Sequence, residues 1–451
     1  MKKLTKKWQL FLYAMSGMGV NMLNLMMGSY LCSALIAGGF SDTTRPFQTY
    51  VGSDLVIAAL WGVFVFVAKI IDGVIDVPMA SITDRFRSKW GRRRPSLMLG
   101  FIPMVCAYVL FLFIPSEGAT ILNTIYFGVV LCIFYSFYTL TMVTYYATFT
   151  EIVETEKERS TISNVKSFFD IVYYILGYVL VRALLNGINV RMVALMVLPL
   201  ALTMLIPMFM IKEPSNKKGE TTKEDAPKLI PSLIYTFKNK TFILWMVVYS
   251  FMTFGVQLFL GGINEFFSAT GMSMIFVMMA SFGPVPLTLL LFNKIREKKG
   301  FGTAYRYILI MFAVGMMLMF GCAFLENGSV VKMVCSIGSG LVSSLAIGAM
   351  FAVSYSVPAQ LAADEEKDTG RSHAAMYFAV QGLFAGVATG IGTGLVLTAL
   401  KKASESVTDE SMSAIWFITV IAAGAMIISL LLSKFLPKSL VQMGAKENEE
   451  K

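Results

Sequence analysis

The chain has 451 residues, 56% of them hydrophobic and 15% charged, with a net charge of +10 and a mean hydropathy of +0.68. So apolar a composition does not fold in water, which excludes soluble enzymes, nucleic-acid binders and secreted disulfide scaffolds, and points to an integral membrane protein. Its apolar runs are continuous rather than short and alternating, so a β-barrel is excluded and an all-α protein is expected.

Ten stretches of at least 19 residues carry no Asp, Glu, Lys or Arg: 8–41, 95–116, 118–150, 192–211, 241–264, 266–293, 307–325, 333–363, 374–400 and 411–433. Each is long enough to cross a bilayer core as a helix, which takes roughly 20 apolar residues. Two more apolar stretches, about 54–83 and about 163–186, are interrupted by charges and bring the expected number of transmembrane helices to twelve.

In chain order, helix 1 carries Asn21 and Asn24 on one face. Helix 2 carries Lys69, Asp72 and Asp76, whose i, i+3, i+7 spacing places them within an arc of about 60°. Counted inward from Arg85, Asp76 lies about 13 Å deep and Asp72 about 20 Å, bracketing the midplane of a hydrocarbon core about 30 Å thick. Ionisable groups at that depth cost several kcal/mol against lipid, so they should face the bundle interior or a watery cavity. Two carboxylates one turn apart repel unless a bound cation, a shared proton or Lys69 relieves them. The stripe therefore predicts a cation or proton coupling site with Lys69 as internal counter-ion; the alternative is a static salt-bridge cluster. The basic loop DRFRSKWGRRRP follows from Asp84. It is expected to latch the cytosolic side, Asp84 pairing with an arginine among Arg85, Arg92 and Arg94, or else simply to meet anionic lipid heads.

Helix 4 places Tyr135, Tyr138 and Tyr145 on a shared face. Helix 5 carries Lys166, Asp170 and Arg182; Lys166 and Asp170 can satisfy each other at i, i+4, or Lys166 can read a substrate oxygen. The polar segment KEPSNKKGETTKEDAPKLIPS, broken by Pro214, Pro227 and Pro231, divides the chain into a six-helix half (1–212), a cytosolic central loop (213–240) and a second six-helix half (241–451). Helix 7 carries Gln257 and Asn264 at i, i+7. Aromatic rings beside amide and hydroxyl groups suit a neutral polyol such as a sugar, although the same residues also hold membrane helices together. The loop NKIREKKGFG from Asn293 matches the first half's basic loop in position, which suggests an internal duplication. His373 is the only histidine and opens helix 11 at the cytosolic surface, with no metal or proton-relay role expected. Cys32, Cys106, Cys132, Cys322 and Cys335 all lie in apolar runs without metal-ligand spacing. No HExxH, GxSxG or Walker A pattern points to an enzyme or an ATP-driven pump.

With the N-terminus in the cytosol and twelve crossings, 31 of the 38 Lys and Arg fall on the inner side, six on the outer side, and Lys69 within a helix. That bias is the positive-inside pattern. The net charge is thus a topology signal with no nucleic-acid partner implied, and both termini are expected in the cytosol. The opening MKKLTKK precedes an apolar run far longer than a signal-peptide core.

The run KIIDGVIDVPMASITDRFRSKWGRRRP, Lys69 to Pro95, resembles the helix 2 signature of the glycoside-pentoside-hexuronide:cation symporters, the melibiose permease family of the major facilitator fold. EIVETEKERS, Glu151 to Ser160, is a weaker match to that family's acidic loop after helix 4. The resemblance implies a transporter, not an enzyme, of two six-helix halves. It would import a glycoside, pentoside, hexuronide or related small sugar by alternating access, with Na⁺ or H⁺ as coupling ion and no other cofactor. It further implies a monomer in a bacterial inner membrane. By resemblance, Asp72 and Asp76 hold the cation. The family's helix 4 acid falls at Met142, with Thr139 one turn earlier; its helix 1 acid falls at Asn21; and the helix 11 lysine is missing from YFAVQGLFAGVATG. The helix 2 proline comes one residue late, at Pro78. Two alternatives stand beside this reading. One is a facilitator or exporter of a more hydrophobic solute, which 31 methionines and 35 phenylalanines would suit. The other is a non-transporting sensor or scaffold, for which the short cytosolic segments leave little partner surface.

Overall fold

The computed structural model describes residues 6–36, 53–75, 78, 88–91, 93–152, 156–211, 236–369, 374–406, 413–443 and 445. They are almost entirely helical, with no strand among them. Two compact units divide the chain, one of Met1–Ala37 with Arg45–Ala226, the other of Gly38–Thr44 with Pro227–Lys451.

The helices of the first unit are α1 (Lys7–Met15), α2 (Gly17–Leu25), α3 (Ala58–Val74), α4 (Arg93–Leu110), α5 (Ile121–Ile152), α6 (Glu156–Ile175), α7 (Val181–Leu185), α8 (Val190–Val197) and α9 (Leu205–Met210). Those of the second are α10 (Lys240–Gly261), α11 (Ile263–Thr270), α12 (Met274–Phe282), α13 (Val285–Lys299), α14 (Phe301–Ala323), α15 (Val330–Thr369), α16 (Ala374–Thr389), α17 (Leu397–Ser406), α18 (Phe417–Leu432) and α19 (Lys438–Val441). Ten helical runs among the described residues are long and apolar enough to cross a bilayer, from Lys7–Leu35 to Ala414–Phe435. Side chains such as Phe209, Leu287 and Val330 are more than two-thirds exposed, a surface suited to lipid. The chain is an all-α, multi-pass membrane protein.

The charged stretch expected to span at about 163–186 is among the ten, as Phe168–Leu185. Neither α3, with 17 residues, nor α4, which opens on Arg93 and Arg94, belongs to that set. The run 8–41 is interrupted at Ser16 and passes through a π-helical turn at Met26–Leu31. Glu265, which separates the charge-free runs 241–264 and 266–293, lies between the spans Lys240–Gly261 and Met274–Lys299, in the first turn of α11 and fully buried. Its carboxylate is paired with Lys401, which removes the cost of burying either charge alone.

Local chemistry explains several ends. The side chains of Asn189 and Asn239 accept hydrogen bonds from the amides of Arg191 and Phe242, capping α8 and α10. Gly271 ends α11 with φ of 67°, a left-handed conformation that favours glycine. Before α4, Gly91 adopts φ of 83° where Ser88 turns the chain by donating from its hydroxyl to the Gly91 carbonyl, 2.8 Å away.

Candidate functional site

In the first unit, α2 and α5 lie against each other through a ladder set by small residues on one side and tyrosines on the other. A β-carbon at Gly17 would come within 2.7 Å of the Tyr145 ring, and one at Gly28 within 3.3 Å of the Tyr135 hydroxyl. Between them, the Tyr138 hydroxyl donates to Asn21 Oδ1 at 3.0 Å. Gly17, Asn21, Asn24 and Gly28 recur at i, i+4, i+7 and i+11, one helical face, so the two asparagines look across at the tyrosine face of α5.

Asn21 leads on to a third helix. Its Nδ2 lies 3.5 Å from Asp170 Oδ1 on α6, and Asp170 is ion-paired with Lys166 one turn away. The Lys166 ammonium also lies 5.0 Å from the centre of the Tyr146 ring. Tyr138, Asn21, Asp170 and Lys166 thus form a continuous polar chain across α5, α2 and α6. The Lys166 and Asp170 side chains keep 20% and 30% of their exposure, so this end of the polar chain is half-exposed.

The charged residues of α3 meet the same tyrosine helix. Thr139 Oγ1 donates to Asp72 Oδ1 at 2.7 Å, and Lys69 Nζ stands 3.8 Å from the centre of the Tyr135 ring. Lys69 and Asp72 form no ion pair within 4 Å; the ammonium is seated on a ring face, a cation–π contact. Asp72 therefore has its lysine nearby but not clamped to it, and the Thr139 hydroxyl engages one of its two oxygens. Asp76, Asp84, Arg85 and Arg92 lie outside the described residues, as does His373. Arg94 is half-buried in the first turn of α4.

The remaining candidates separate into different environments. Asn24 Oδ1 is buried and accepts no hydrogen bond, an orphan acceptor beside the chain just described. Met142 is 4% exposed. Tyr145 is fully buried, its hydroxyl donating to the carbonyls of Tyr13 at 2.5 Å and Ala14 at 3.1 Å, so it ties α5 to the end of α1. Gln257 and Asn264 belong to the second unit, Gln257 half-buried on α10 and Asn264 fully buried on α11. Sequence reasoning missed Tyr146 beneath Lys166, and it missed the ion pair of Glu265 with Lys401. Tyr146 follows Tyr145 directly, and the shared-face rule that selected Tyr145 passed over it.

The family of MFS/sugar transport proteins matches residues 12–437. An uncharacterized symporter of Synechocystis is 30% identical over 139 residues, covering 30% of this chain and 26% of that protein. A lactose permease of Lactobacillus helveticus is 24% identical over 181 residues, covering 39% of this chain and 27% of the permease. The matches thus span about a quarter of the length of either curated relative. Among solved structures, the nucleoside transporter NupG superposes with a TM-score of 0.62 at 15% identity over 96% of this chain and 99% of that one. A bacterial homolog of the human lysosomal transporter Spinster gives 0.57 at 13% identity over 98% of each. These structures share the major facilitator fold with this chain.

Proposed function

The chain belongs to the family of MFS/sugar transport proteins, and on that premise we propose that it is a symporter that couples uptake of a glycoside or related small sugar to Na⁺ or H⁺. The observation that carries the proposal is the contact of Asp72 with Thr139, with Lys69 held off on the Tyr135 ring. A half-buried carboxylate set beside a hydroxyl is a hard-oxygen site of the kind that takes a small cation or a proton. Beside it, Tyr138, Asn21, Asn24, Lys166 and Asp170 offer the hydroxyl, amide and charged groups that bind sugar hydroxyls, with tyrosine rings for the sugar's apolar face. The lactose permease among its relatives is consistent with a saccharide substrate. In this reading the chain crosses a bacterial inner membrane twelve times with both termini in the cytosol, works as a monomer by alternating access, and uses the basic 84–95 loop as its cytosolic latch.

A second reading is favoured by one feature of the second unit. An open groove in the second unit is lined by Phe237, Phe251, Phe254, Leu383 and Phe384, with Ser250 as its polar member. That lining suits a facilitator of a more hydrophobic solute.

Thermal unfolding of the detergent-purified protein separates the two. A ligand at a hundred times its Kd stabilises the folded state by about 2.7 kcal/mol. The symporter reading predicts a rise in melting temperature with one glycoside, pentoside or hexuronate of a panel, enhanced by Na⁺ or by lower pH and lost in Asp72→Asn. A folded protein that ignores every sugar but responds to apolar solutes would transfer the assignment to the second reading.

A further inference from the structure

The ion pair between Glu265 and Lys401 lies outside the candidate coupling site and has no part in the proposed sugar recognition. Glu265 is 0% and Lys401 3% exposed, and Lys401 Nζ stands 2.8 Å from Glu265 Oε1. Replacing a buried pair by apolar groups of similar size is often neutral or stabilising, so the pair is weak evidence for a stabilising brace, whereas removing one partner alone leaves an uncompensated buried charge.

Its surroundings are irregular in helical geometry. Helical structure breaks between α10 and α11 at Gly262, with φ of −99° and ψ of 16°. Directly opposite runs the π-helical segment Gly390–Val396 between α16 and α17. The two irregularities pack together: a β-carbon at Gly261 would come within 2.6 Å of Thr393 Cγ2, and one at Gly262 within 2.7 Å of Leu397 Cδ1. Glycine breaks and π-helical segments are where helices kink, and the latter are frequent at functional sites. Past this point α11 is eight residues long and ends at the left-handed Gly271. It is tied by the ion pair to α17 and by Trp416 Nε1, which donates to the Ala269 carbonyl at 3.1 Å.

The first unit also brings two helical irregularities together. There the π-helical turns Met26–Leu31 and Leu176–Leu180 meet through the Tyr30 hydroxyl, which donates to the Gly177 carbonyl at 2.8 Å.

We propose that Glu265 and Lys401 form a reversible latch, which holds α11 on α17 when closed and lets α11 turn about Gly261–Gly262 when it opens. This inference is independent of the substrate and of Asp72.

Hydrogen–deuterium exchange on the full-length protein in detergent tests it without any ligand. In the wild type, the amides of Ile263–Thr270 should exchange together and faster than those of Lys240–Gly261, as a separate cooperative unit. In Glu265→Gln, exchange across α11 should rise by about tenfold or more, with α10 and α14 unchanged. In the charge-free double variant Glu265→Leu with Lys401→Met, it should fall below the wild-type rate, because apolar packing closes the latch without an ionic contact to lose. Should Glu265→Gln not fold, the comparison of wild type with the double variant decides alone. Protection of α11 equal to that of α10 in both of these proteins would overturn the latch in favour of a fixed brace. So would a rise in Glu265→Gln spread evenly over α10, α11 and α14.

Discussion

Replacing Asp72 by asparagine is expected to abolish uphill transport while sparing exchange. The substitution keeps the side chain's size and leaves an amide oxygen to accept the hydrogen bond that Thr139 Oγ1 now gives at 2.7 Å. Lys69 keeps its seat on the Tyr135 ring. What is lost is the charge alone. One cation moved with each sugar at 100 mV supplies about 2.3 kcal/mol, which sustains roughly a 50-fold concentration ratio. In proteoliposomes under that potential the wild type should approach this ratio, and Asp72→Asn should stop near one while still exchanging internal for external sugar. An accumulation ratio still near 50 in the variant would remove Asp72 from the coupling role.

The second large effect concerns the packing that brings the site together. A β-carbon at Gly19 would lie 1.8 Å from the Leu200 carbonyl oxygen and 2.7 Å from Thr203 Oγ1. The first of these obstacles is backbone, so it cannot rotate away as a side chain can. Gly19→Val should therefore cost about 3 kcal/mol or more, at or beyond the upper end of overpacking. Against a total stability of roughly 5–15 kcal/mol, folded yield and melting temperature should fall sharply, and with them every property of Asn21 two residues on. Gly321→Ala is the matched control, since a β-carbon there meets nothing within 4 Å and alanine favours a helix. Equal melting temperatures for Gly19→Val and wild type would show that α2 does not depend on this close approach.

The spans were legible because a bilayer demands runs of about 20 apolar residues and composition displays them directly. Parts of the candidate site were legible for a related reason. Charges inside apolar runs are costly, so Lys69, Asp72, Lys166 and Asp170 stood out. Their partners did not. Asn21 reaches Asp170 across 149 positions of sequence, and no local spacing encodes that. Tyr145 shares a helical face with Tyr135 and Tyr138, yet Gly17 lets the α1–α2 backbone approach so closely that its hydroxyl is consumed by two carbonyls. Glu265 does fall between two spans, but its partner is Lys401, 136 positions away, and no local spacing encodes that pair either.

The most direct measurement is uptake of labelled sugars, lactose among them, by the wild-type protein in proteoliposomes with an imposed Na⁺ or H⁺ gradient. The symporter account predicts accumulation of at least one sugar above its external concentration when one of the two gradients is present, and collapse to equilibration when an ionophore dissipates it. Sugar entry that only equilibrates, at the same rate with and without either gradient, would contradict cation coupling.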